Sequence, residues 1–162
     1  MLAISYNWWK FLHVAGVIAF VLFHGVSMVV ALQVRRERDR GRIATLLQFS
    51  GSSLMWMYVS LLWLVVFGVV AGIQGQYWND GWFWISIVLL VLVSAEMGAV
   101  SRPYYERLKE AIEVRPSGVP RRSDEELEEI LRAPVAVWNA AVGFAVLATI
   151  TWLMIFKPFQ VL

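Results

Sequence analysis

The 162-residue sequence contains no cysteine. That excludes disulfides, iron–sulfur clusters and thiolate metal sites. Histidine is almost missing as well, with His13 and His24 the two present. No phosphate loop with its lysine, no H-E-x-x-H zinc motif and no nucleophile–base pair can be read, so the usual motifs of hydrolases and nucleotide-using enzymes do not appear. Charge is scarce. Charged residues make up 16% of the chain against 59% hydrophobic, a departure from soluble composition toward a membrane one. The N-terminus lacks the basic n-region of a signal peptide, and the first apolar run is too long for an h-region, so that run is expected to be a retained span. No repeat or low-complexity tract is present.

What the chain does have is apolar runs of membrane-crossing length. Four are expected, at 8–32, 48–73, 82–101 and 134–156, each near the roughly 20 residues a bilayer core requires. Nine tryptophans suit a protein with two water–lipid interfaces. Twelve of the fourteen basic residues fall in two connections, VRRERDRGR (Val34 to Arg42) and 102–133. The loop Gln74 to Gly81 has no basic residue, and Asp80 is its one charge. The positive-inside rule puts the two arginine loops in the cytoplasm, and an even span count puts both termini outside. The expected fold is therefore an all-α, four-span bundle forming one domain over 1–162. In the long loop, Tyr104, Leu108 and Ile112 stand at helical spacing and extend the third span past the membrane surface. Pro116, Gly118 and Pro120 then break the helix. Ser123 and Glu126 form a capping box for a short amphipathic helix with Leu127, Ile130 and Leu131 as its apolar stripe, lying on the lipid or on the bundle. Such arginine loops attract anionic lipid and need no nucleic-acid partner.

The titratable residues inside the spans mark the candidate site, because such groups are costly in lipid. His13 and His24 are 11 positions apart, nearly on one helix face, with an axial offset of about 16 Å. The face reads His13, Gly16, Phe20, His24, Ser27, and Gly16 and Gly25 leave room beside the rings. Counting from span midpoints puts Met57, Glu96 and Asn139 within about a turn of the His24 level, with Met55 and Met97 nearby. Glu96 is the one acid within a span and should face the interior, with His24 its expected partner. His13 lies nearer the outer interface, with Trp8, Trp9, Gln74 and Trp152 as its candidate surroundings. Gly68 and Gly72 in the second span, and Ala136, Ala140 and Gly143 in the fourth, suit close helix packing, with a homodimer through Gly68 and Gly72 the alternative.

Three readings of these residues stand side by side. The histidines and Glu96 can be hydrogen-bonding groups between helices, as in a structural subunit of a larger complex. The histidines can be axial ligands of haem b, with Met55, Met57 or a second chain supplying the other ligand, and Glu96 and Asn139 beside the group. His24 with its neighbouring methionines can instead hold copper, since imidazole and thioether suit Cu(I).

Several segments carry a family likeness: K-F-L-H-V (Lys10 to Val14), H-G-V-S (His24 to Ser27), G-S-S-L-M-W-M-Y-V-S-L-L (Gly51 to Leu62), G-W-F-W (Gly81 to Trp84) and M-I-F-K-P-F (Met154 to Phe159). Together they resemble a bacterial family of four-helix integral membrane proteins of unknown function, similar to copper-resistance protein D and to the HemJ-type protoporphyrinogen oxidase. The resemblance implies the bacterial cytoplasmic membrane as location. In the HemJ type the first-span histidine is associated with haem binding, a role that would fall on His13. The HemJ pattern also carries a third-span lysine, where this chain has only Glu96 as an ionisable group.

Overall fold

The computed structural model describes residues 5–160. Its main helices are α1 (Tyr6–Val34), α2 (Arg40–Gln74), α3 (Gly81–Ile112), α4 (Asp124–Arg132) and α5 (Val135–Phe156), with one 3-10 turn at Tyr77–Asn79. The first three expected spans lie inside α1, α2 and α3, and the fourth matches α5 but for Pro134, its N-cap, so the chain is an all-α four-helix membrane bundle. Little of each apolar window is covered by the protein itself, 17% in α1 and α2 and 11% in α3. The remaining surface, with Leu22, Leu62 and Phe144 among its exposed residues, requires lipid.

The helix ends follow local chemistry. Asp39 caps α2, its carboxylate accepting from the Arg42 amide at 2.7 Å. Gly75 ends α2, and Gln76 turns the chain in the left-handed region at φ 59°. α3 continues through Pro103 to Ile112, as the Tyr104–Leu108–Ile112 spacing predicts. The capping box of α4 is formed: the Glu126 amide donates to Ser123 Oγ at 3.2 Å, and the Ser123 amide to Glu126 Oε2 at 2.9 Å. Of the two settings expected for α4, the bundle is the one adopted, with Leu127 and Leu131 buried.

α1 lies along α2 and α3 lies along α5, with thinner contact between the two pairs. Each end of the bundle has its own core. At the arginine-rich end, Val34, Ile43, Leu108 and Leu131 are fully buried where α1, α2, the extension of α3 and α4 meet. Side chains of this size contribute about 1.5–3 kcal/mol each on burial from water. Arg40 stitches this end together, donating to the carbonyls of Ala111 and Arg122 and to Asp124 Oδ1. Arg35 donates to the carbonyls of Leu131 and Arg132, which answers orphan acceptors at the C-terminus of α4.

At the opposite end Trp82, Phe83 and Leu153 form a smaller core. The Phe83 ring lies so close to Gly72 that a Cβ there would sit 2.4 Å from it. Gly72 thus accepts a ring from within the chain. Lys157 Nζ donates to the Tyr77 hydroxyl at 2.9 Å, and the hydroxyls of Tyr77 and Tyr6 lie 2.9 Å apart. The lysine holds the Tyr77 phenol below its ordinary pKa, because the ammonium hydrogen bond favours the phenolate.

Candidate functional site: two histidine levels in the bundle

The two histidines of α1 sit in different surroundings. His13 faces α2, where its Nδ1 donates to the Leu64 carbonyl at 2.7 Å. A carbonyl oxygen only accepts, so the proton is on Nδ1, and in the neutral ring Nε2 carries the free lone pair. The ring can approach because Gly68 has no side chain: a Cβ there would sit 2.8 Å from Nδ1. One turn along α1, Gly16 meets the backbone of the same Leu64, and Trp63 Nε1 donates to the Leu12 carbonyl at 2.9 Å. His13 is therefore anchored at a close approach of α1 to α2. The outer-interface side chains Trp8, Trp9, Gln74 and Trp152 do not supply its hydrogen bond. A backbone carbonyl does, and no sequence pattern marks it.

His24 lies between α2 and α5, with Met97 of α3 reaching the same glycine of α5. Its Nδ1 is 3.5 Å from Met57 Sδ on α2, and its ring stacks on Phe20 with centroids 5.3 Å apart. A Cβ at Gly143 of α5 would be 3.8 Å from His24 Nε2 and 2.7 Å from Met97 Cε of α3. Counting residues from the span midpoints thus puts Met57 at His24, and Met97 shares with His24 the space beside Gly143. Met55 stands elsewhere: it is 71% exposed on the lipid-facing side of α2. Gly25 has open space beside it, whereas Gly16 is filled by α2.

Glu96 takes a partner different from the expected His24. Its Oε1 accepts from Trp138 Nε1 at 3.1 Å. The cause is azimuth: α3 lies along α5, so an acid at the His24 level still faces α5. The neighbouring Asn139 donates through Nδ2 to Ser101 Oγ, a second α5–α3 bond. Glu96 Oε2 and Asn139 Oδ1 are out of reach of solvent and have no hydrogen-bond partner among the described residues. Orphaned buried acceptors of this kind are costly and are candidates for a ligand's donors. Trp138 and Ser101 were not expected at the site. Trp138 stands in the first turn of α5, at the edge of its span, where a tryptophan is ordinary, so the sequence carried no signal for this role.

The structure brings His24 together with Met57, keeps His13 at a separate level, and turns Glu96 to Trp138. Among the described residues, no three His, Cys, Asp or Glu side chains gather as a metal cage. No curated protein and no solved structure matches the chain. A family described as predicted integral membrane protein (DUF2269) matches residues 7–158, nearly the whole length, and the chain belongs to that family.

Proposed function

We propose that this is a small protein of the bacterial cytoplasmic membrane, its arginine-rich end in the cytoplasm, that binds haem b through the first-span histidines and takes part in electron or proton transfer. The observation that carries the reading is the 2.7 Å bond from His13 Nδ1 to the Leu64 carbonyl. Metal-ligating histidines characteristically donate their other ring N–H to a carbonyl or carboxylate, which fixes the tautomer and aims the free nitrogen. The L-H of the HemJ-like segment adds to it. At the second level, Nε2 of His24 is the candidate ligand atom. Met57 is not the opposite axial ligand in this arrangement, because its sulfur touches His24 Nδ1 directly and leaves no place for a porphyrin between them. Haem bound here would supply one-electron chemistry. The protein's part is to orient the two imidazoles, to exclude water with its apolar spans, and to offer Glu96 Oε2, which has no partner among the described residues, as an acceptor.

Copper handling is the second reading. It draws on His24 Nδ1 and Met57 Sδ at 3.5 Å with Met97 beside them, a soft nitrogen–sulfur pair suited to Cu(I). The visible spectrum of protein purified from a haem-replete host separates the two. A Soret band is expected, with His13→Ala and His24→Ala each removing a distinct part of it and Met57→Leu keeping it. Protein with no Soret band that also fails to take up added haemin refutes the haem reading. Bound copper in metal analysis would then support the second one.

A further inference from the structure

The extension of α3 and helix α4 face each other across a cleft of about 540 Å³ at the arginine-rich end. This is within the range of small-molecule sites, roughly 300–1,000 Å³. One wall is a helical stripe of α3, Val100, Pro103, Arg107 and Glu110. The other is the facing stripe of α4, Glu126, Glu129 and Ile130. At the end next to the bilayer the lining is apolar, with Val100 from α3 and Val135 from the start of α5. Tyr104 lies about 6 Å and Arg107 about 10 Å along α3 beyond Val100, the zone where lipid headgroups begin.

The charges in the cleft sort into satisfied and free. Arg122 is paired with Glu110 at 3.3 Å and with Glu126 at 3.1 Å. Arg107 and Glu129 line the same cleft with no ion-pair or hydrogen-bond partner among the described residues. Tyr104 lines it too. It is 7% exposed, and its hydroxyl is shut off from solvent with no partner among the described residues. A hydroxyl that solvent cannot touch is equally out of reach of a group seated in the cleft, so Tyr104 serves as part of its wall.

We propose that this cleft seats the headgroup of phosphatidylethanolamine from the adjoining leaflet. The phosphodiester answers Arg107, the ammonium answers Glu129, and the acyl chains leave past Val100 and Val135 into the bilayer. The sign pattern selects the lipid class. An anionic headgroup satisfies Arg107 and leaves Glu129 facing a negative charge. A choline headgroup has no N–H for the carboxylate, and among the described residues Tyr104 is the one aromatic lining the cleft, well short of a choline cage. A lipid is favoured over a soluble phosphoethanolamine ester because the apolar end of the cleft opens at the membrane end of α3. The inference does not rest on the haem reading.

The test is lipid exchange on the full chain. Detergent-purified protein is equilibrated with equimolar phosphatidylethanolamine, phosphatidylglycerol and phosphatidylcholine, and the retained lipid is counted by native mass spectrometry. Phosphatidylethanolamine should be enriched over both others. Arg107→Gln and Glu129→Gln should each lower that enrichment by about fivefold or more, the size of one lost charge-assisted hydrogen bond. Glu125→Gln, on the same helix but outside the cleft, should leave it unchanged, and helix content by circular dichroism checks that each variant is folded. Equal or greater retention of phosphatidylglycerol overturns the proposal, as does a preference that survives both Arg107→Gln and Glu129→Gln. Displacement of the lipid by equimolar glycerophosphoethanolamine would show a site for the soluble ester and overturn the lipid source.

Discussion

Gly16 offers the sharpest test of how the His13 level is built. A Cβ at that position would lie 3.0 Å from both the Cα and N of Leu64 and 2.6 Å from Trp63 Cδ1. Ordinary van der Waals contact begins near 3.4 Å, so α1 must retreat from the α2 backbone by about 0.4 Å. The indole could rotate away only by giving up its 2.9 Å bond to the Leu12 carbonyl, and the Leu64 backbone cannot rotate away. Overpacking of this kind costs about 1–3 kcal/mol. Alanine also recovers about 0.5–1 kcal/mol of helix propensity. Gly25→Ala is the natural control: it lies on the same helix, with no heavy atom within 4 Å of the added carbon. The propensity gain is common to both variants, so their difference isolates the packing cost. Gly16→Ala should be less stable than Gly25→Ala by about 1–3 kcal/mol in reversible unfolding in mixed micelles. The same retreat stretches the His13–Leu64 bond from 2.7 Å, so the Nδ1 proton should move upfield in the NMR spectrum of Gly16→Ala and stay put in Gly25→Ala. Equal stabilities within about 0.5 kcal/mol, with an unmoved proton, would refute the close α1–α2 approach.

Two further outcomes are expected. Arg40→Ala removes a largely buried guanidinium that joins the start of α2 to the end of α3 and to α4, so it should lower stability by about 2–3 kcal/mol and speed proteolysis between residues 113 and 123. Unchanged proteolysis would mean that the arginine-rich end holds together without it. Cysteines introduced at the exposed positions Gln76 and Asn79 should react with an impermeant reagent added outside intact cells, while one at Gly41 should not. The opposite pattern would invert the sidedness argued from the arginines.

What the sequence determined by itself is whatever depends on neighbours along the chain. Span length follows from runs of apolar residues, because a backbone in lipid must satisfy its own hydrogen bonds within the helix. The extension of α3 and the Ser123–Glu126 box were legible for the same reason: spacing and capping act over three or four residues. The level of Met57 and Met97 beside His24 was legible too, since a fixed rise per residue converts position into depth. Azimuth was not legible. Whether Glu96 turns to His24 or to Trp138 depends on which helices pair, and that is decided by the close approach of α1 to α2 at Gly16 and Gly68 and by the packing of α3 on α5. The partner of His13 was equally hidden, because every residue carries a carbonyl and only tertiary packing selects the one at Leu64. The cleft at the arginine-rich end shares that origin: Arg107 and Glu129 are ordinary surface charges in the sequence, and only the folding of α4 back onto α3 leaves them facing one space without partners.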